Sequence, residues 1–212
     1  SVIQNVLLDP FPYTDAHRVA AIQIHDTTSS RPGGRSFYQT AEFLDMRSQL
    51  QIFDDVIGGT MGDVLLTTPE GTEQFTGGDT TPNTFQFLGV PAEVGRVFTP
   101  PDAAPGPAPG FVMSYKMWTA KYGRDPGIVG RSFILNGVPT TLVGIMPMRF
   151  TKLGADLWRP IVLNRADPQM AEQYFMFQGK LKPGVTLQQA AAEADVVAHR
   201  LAASYPRNYP KQ

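Results

Sequence analysis

A chain of 212 residues is long enough to bury one sizeable core or two small ones, so it needs no covalent staples to fold. Its 18 basic and 19 acidic side chains nearly cancel, with no block of like charge, which removes the electrostatic footprint expected of a nucleic-acid-binding surface. Having no cysteine, it excludes disulfides, thiolate metal sites and cysteine nucleophiles, and no run approaches the ~20 apolar residues of a membrane-spanning helix.

In chain order, Ser1 to Leu8 is apolar and helix-compatible, and its abrupt start reads as the tail of something longer, so an excised domain is expected. After a proline-stiffened entry, Asp9 to Tyr13, the segment Val19 to His25 alternates enough for a first strand with Val19, Ala21 and Gln23 on one face. A polar, glycine-rich loop, Thr27 to Arg35, leads to Ser36 as the N-cap of a helix that runs to about Leu50. Two apolar stripes, Phe37-Ala41-Leu44 and Phe43-Met46-Leu50, predict that this helix packs on a sheet and touches a second neighbour. Phe53 to Ile57 reads as a strand that Gly58-Gly59 and Gly62 bend into Val64 to Thr67. Pro69-Glu70-Gly71 then turns the chain back through Glu73 to Thr80. Pro82 starts a short helix carrying Phe85, Phe87 and Leu88, followed by extended, turn-rich chain to Phe98. Thr99 to Gly110 holds five prolines and two glycines among twelve residues and is a semi-rigid surface loop.

Gly110 to Met146 is the most densely punctuated stretch. Phe111 to Met113 is a buried strand, Ser114 caps a helix that presents Tyr115, Trp118 and Tyr122 on one face, and Gly123 ends it. Asp125-Pro126 begins a single-turn helix closed by Gly130. Ser132 to Leu135 and Val138 to Ile145 are hairpin strands, because Asn136-Gly137 supplies the positive φ angles of a type I′ turn. Ala155 to Pro160 is a brief strand with Trp158, Leu163 to Met170 a loop or short turn, and Tyr174 to Leu181 another strand. Thr186 and Gln189 then form a capping box for a helix whose face holds Leu187, Ala190, Ala194, Val197 and Leu201, until Pro206 ends it. Strand-helix units thus stand at both ends, around a strand-rich middle. The expected fold is α+β: residues 1–81 and 161–212 form a sheet with two helices on one face, and residues 82–160 form an inserted β-rich lobe.

Chemistry is sparse. His17, His25 and His199 are the only histidines and show no metal-ligand spacing, so surface roles are expected and no metal ligand is assigned. Asp54 and Asp55, as chain neighbours on a strand or turn, point apart and cannot share a proton over one substrate. The glycine-rich runs at Gly58 to Gly62 and Gly77-Gly78-Asp79 lack the lysine ending of a phosphate-binding loop and read as bends and bulges. Ser114 follows a strand and opens a helix, as a nucleophile elbow does, but lacks the flanking glycines, and capping accounts for it. Phe85, Phe87, Tyr115, Trp118 and Tyr122 could line a ligand groove, with core packing as the default. No catalytic or cofactor-binding residue is assigned.

An ordered set of short segments nonetheless resembles a family. Val6 to Tyr13 (VLLDPFPY), Phe87-Leu88-Gly89-Val90 with Gly95 to Thr99, Ser114 to Trp118, Tyr122-Gly123, Asp125-Pro126 and Val129 to Arg131 are followed by Leu135 to Pro139, Val143 to Pro147, Asp156-Leu157-Trp158 and Leu181 to Thr186. In this order they resemble the MacB-type periplasmic core domain of ABC transporter permeases, in the FtsX-like permease superfamily. The PFPY entry is most similar to the acidobacterial-type branch, whose ATPase is a separate chain.

The resemblance implies a periplasmic domain between two membrane helices of an inner-membrane permease, with a porter-like lobe and an inserted β-rich lobe. It implies no catalytic residues and no cofactor. Its partners would be an ATP-binding subunit, reached through the membrane part, and a periplasmic adaptor protein. The full permease would be dimeric and the isolated domain monomeric. It further implies a missing last strand, hence an unpaired sheet edge in the first lobe. The alternatives are a free-standing peptide-, glycan- or lipid-binding module, which requires an aromatic-lined cleft with Trp118 or Trp158 exposed, and a hydrolase, which requires Asp54, Asp79, Ser114, His25 or Asp156 to converge.

Overall fold

The computed structural model describes residues 2–5, 13–25, 34–103 and 109–209. Among them, the chain runs through β1 (Val2–Asn5), β2 (Val19–His25), β3 (Gly34–Arg35), β4 (Phe37–Gln39), α1 (Thr40–Gln49), β5 (Phe53–Thr68) and β6 (Gly71–Thr80). It continues through α2 (Thr84–Leu88), β7 (Val94–Gly95), β8 (Gly110–Met113), α3 (Tyr115–Tyr122), β9 (Ser132–Leu135) and β10 (Val138–Ile145). The last elements are β11 (Leu157–Pro160), α4 (Pro168–Ala171), β12 (Tyr174–Leu181) and α5 (Leu187–Ser204). The fold is α+β, and the chain divides into two compact units, one holding 15–58 and the chain from 163 on, the other holding 59–162.

In the first unit, β2 pairs antiparallel with β1 (Val2↔Gln23 to Asn5↔Ala20) and with β12 (Gln178↔Ala21 to Lys180↔Val19). Beyond that point β12 pairs with β4 instead. Three expectations change here. Val2–Asn5 is a strand and not a helical tail, because its backbone completes a ladder on β2. The buried face of β2 is Ala20, Ile22 and Ile24, with Val19 buried as well, and Ala21 and Gln23 lie on the half-buried side. Helix α1 starts at Thr40, because Phe37–Gln39 is drawn into the ladder of β12 and the buried Tyr38 hydroxyl donates to the Ile22 carbonyl at 2.8 Å. Phe37 is consequently left exposed, outside the stripe expected of it.

Helix α1 still buries Phe43 and Met46. The Phe43 ring lies 5.1 Å from Phe177 and 6.4 Å from Phe175 of β12, and Phe177 is 5.8 Å from Phe53. Each fully buried phenylalanine contributes about 1.5–3 kcal/mol relative to its exposed state. Helix α5 buries Ala190, Ala194, Val197 and Leu201 against its neighbours, and the expected capping box at Thr186 and Gln189 is present. Leu187, placed on that face by spacing, sits in the first turn and is exposed.

In the second unit, β5 from Gly59 on forms one unbroken hairpin with β6, Gly59↔Thr80 through Thr68↔Gly71. Gly59 and Gly62 therefore do not bend the strand. Gly77 and Gly78 are no bulge either; they make room. A Cβ on Gly78 would lie 2.7 Å from Trp158 Cδ1, and one on Gly77 would collide with Val64. From β6 the order continues parallel to β11, antiparallel to β8 and parallel to β10, which closes its hairpin with β9 through Asn136 and Gly137 at φ 50° and 79°. Ser114 caps α3, and Asp125 caps the turn Pro126–Ile128, as expected.

One core cluster gathers Val64 and Leu66 with Phe111, Met113, Trp118, Leu135, Leu142 and Leu157. A second, aromatic one links Phe98, Phe85, Phe150 and Trp158 at ring distances of 4.7, 5.7 and 5.0 Å. These contacts move the expected unit boundary. It falls at Gly58/Gly59 and not at 81/82, because β6 pairs with β11 and the inner face of the hairpin is spent in the second unit's core.

Candidate functional site

Most of the side chains weighed for catalysis serve a local partner. Asp54 pairs with Arg18, and Asp55 accepts from the Val56 amide at 2.8 Å. Ser114 is buried and its oxygen accepts from the Met117 amide at 3.1 Å. Asp156 accepts from the Thr76 amide at 3.2 Å, and Asp79 holds Arg159. His17 is exposed, and exposed His199 hydrogen-bonds the Asp195 carbonyl at 2.7 Å. The His25 ring packs over Gly34, where a Cβ would lie 2.9 Å away. The aromatic platform is core: Phe85, Phe87 and Trp118 are buried, as is Trp158, so the cleft required by a free-standing module is not formed by them. Among the described residues no group of three His, Asp or Glu side chains could hold a metal ion.

What the fold does bring together is a polar clamp in the first unit, built on α1. Glu42 is fully buried and takes both Arg35 guanidinium nitrogens, at 2.9 and 2.6 Å. The guanidinium lies 4.9 Å from the Tyr38 ring centre and 5.0 Å from that of Tyr209, so it stacks against both. Asn208 donates to Gln39 at 3.0 Å and to Glu42 at 3.4 Å. One turn along α1, Asp45 accepts from the Tyr205 hydroxyl and from Arg165. Burial alone would lower the Arg35 pKa, but the hydrogen bond and charge of Glu42 raise it. Burial would likewise raise Asp45, yet Tyr205 and Arg165 hold it below the usual carboxylate value. Burial, and then the bond to Asp45, push Tyr205 up to about 12.

The clamp ties the segment after α5 to α1 and to Arg35 of β3. Val2 pairs with Gln23, while Tyr209 stacks on Arg35, which pairs with Ile24 on the adjoining residue of β2. None of this was assigned from sequence. The available signal was Glu42, a carboxylate lying between Phe43 and the other apolar positions of α1.

The second unit carries a cleft of about 220 Å³ floored by Leu135 and Thr140 and rimmed by Val138, with the Asp79–Arg159 pair at its side. That pair is bidentate, at 2.8 Å for each bond.

The sequence matches the family described as MacB-like periplasmic core domain over residues 1–197. A comparison with curated proteins gives no match. Among solved structures, the chain is similar to the extracellular domain of the noncanonic ABC-type transporter YknZ from Gram-positive bacteria, with TM-score 0.61 and 12% identity over 87% of this chain and 92% of that one. It is also similar to the periplasmic region of MacB from Actinobacillus actinomycetemcomitans, with TM-score 0.62 and 15% identity over 89% of this chain and 85% of that one. At these identities the likeness is one of fold.

Proposed function

The chain belongs to the family of MacB-like periplasmic core domains, and from that premise we propose that it is the non-catalytic extracytoplasmic domain of an ABC-type efflux or export permease, passing the cytoplasmic ATPase cycle to a substrate or a periplasmic partner. The observation that carries this reading is the anchoring of both flanks of the first unit: Val2–Asn5 is laddered onto β2, and the segment after α5 is bound by Glu42, Asp45 and Arg35. A domain driven through its flanks needs them firmly attached; otherwise a displacement is lost in slack chain. Ser114 is engaged in a cap and Asp54 and Asp79 in ion pairs, which suits a part that supplies surfaces instead of reactions. Its partners would be an ATP-binding subunit, met through the membrane part, and a periplasmic adaptor.

The chain's lack of cysteine makes a clean test available. In the full-length permease, freed of any other cysteines, Val162→Cys places one thiol at a position 54% exposed. A membrane-impermeant maleimide should label it in spheroplasts at the rate seen after lysis. Labelling only after lysis would overturn the extracytoplasmic placement.

A further inference from the structure

In the second unit, the ladder between β8 and β11 ends early. Strands β8 and β11 pair only at Leu157↔Met113 and Trp158↔Val112. Carried two residues further, the same register sets Pro160 opposite Gly110. Proline has no N–H to donate, so the ladder stops there. Among the described residues, Arg159 and Pro160 pair with β6, and Gly110 pairs with β10. The Thr141 amide donates to the Pro109 carbonyl at 2.8 Å, so Pro109 turns its carbonyl toward β10. By strand alternation, the N–H and C=O of Gly110 turn into the fork. The Pro160 carbonyl can still accept from the Gly110 N–H, but proline offers no donor to the buried Gly110 carbonyl, which is costly to leave unpartnered.

The 220 Å³ cleft lies in this fork. Its floor is apolar apart from Thr140, whose hydroxyl is spent on the Val138 carbonyl at 3.0 Å. Its charges cancel, because Asp79 takes Nε and Nη2 of Arg159 and leaves Nη1 to donate elsewhere. We propose that the fork between β8 and β11 binds a short, uncharged, apolar peptide segment of a partner protein in extended conformation. A peptide offers at once the three things the fork can use: an amide N–H for the Gly110 carbonyl, a carbonyl for Arg159 and apolar side chains for the floor. A charged ligand would meet a pair already neutralised, and a hydrocarbon would leave the Gly110 carbonyl unpaired.

The site stands on the second unit alone, so a negative result here leaves the topology test above untouched. The probe is acetyl-Val-Leu-Val-amide, titrated into the isotope-labelled 212-residue chain and followed by amide resonances. Saturable shifts centred on Gly110, Val138 and Ile161, with a Kd below about 1 mM, are expected. Val138→Glu, at the exposed rim, should weaken binding at least tenfold without changing the other amide positions. Pro160→Ala restores a donor, so the new amide at position 160 should become protected from exchange as the ladder extends, and binding should fall by a similar factor. The proposal is overturned if shifts stay linear and dispersed, if they centre elsewhere, or if 1-hexanol reproduces them at Gly110 while the peptide does not.

Discussion

The two units are held together differently. The first places charge inside: Glu42 is fully buried, and its partners Arg35 and Asn208 come from strand β3 and the segment after α5, with Tyr209 stacked on Arg35. The second keeps its ion pairs at the margin, as with Arg159–Asp79, where both partners are about a quarter exposed, and fills its interior with Trp158, Phe150, Phe111 and Leu142. The difference teaches that an apolar interior stabilises without asking for direction, whereas a buried ion pair stabilises only in one geometry, and it fixes which segments meet. A unit that must grip its own chain ends gains from the second device.

The comparison breaks first at the largest residue. Trp158→Ala should cost about 3–5 kcal/mol in denaturant unfolding, from lost burial and the cavity left beside Phe150. A cost under about 1 kcal/mol would mean the aromatic cluster is not a core. Glu42→Gln keeps the shape but removes the charge opposite Arg35, and should cost about 1–3 kcal/mol. Hydrogen exchange should then rise at 205–209 before it rises in β8 or β10. Uniform exchange across both units would show that the clamp grips nothing in particular. Gly78→Ala forces a methyl against the Trp158 ring and should cost about 1–3 kcal/mol, although it adds apolar volume.

A pH series sharpens the contrast. Asp45 is depressed in the folded state, so its contribution is present above the ordinary carboxylate value and is lost as pH falls through the folded one. Tyr205 is raised to about 12, so its contribution is present below pH ~10 and is lost as pH climbs from there toward the folded value. Asp45→Asn should therefore flatten the acid limb of the stability profile and Tyr205→Phe the alkaline limb, while Thr140→Val in the second unit should alter neither. The smallest effect is Thr186→Ala, which removes a capping box at an exposed helix start and should cost about 1 kcal/mol, read as a drop in melting temperature.

Local features were legible in the sequence because a few adjacent residues decide them. Asn136-Gly137 turns at positive φ, Ser114 and Thr186 cap their helices, and Asp125-Pro126 opens a single turn, each needing little beyond its own neighbours. Where spacing misled, a distant partner had intervened. Phe37–Gln39 looks helical until β12 is beside it, and the inward face of β2 depends on which side its neighbours cover. Nothing in the order of residues places Tyr209 on Arg35 or Pro160 opposite Gly110.

The sequence by itself determined the turns, the caps, the α+β class and, through an ordered set of short segments, the family. Only the tertiary structure decided the boundary at Gly58/Gly59, the clamp on α1 and the fork at Pro160. The physical reason is that backbone dihedral preferences act between adjacent residues, whereas burial, ion pairing and strand register depend on segments brought together from more than a hundred positions away, as Glu42 is with Asn208.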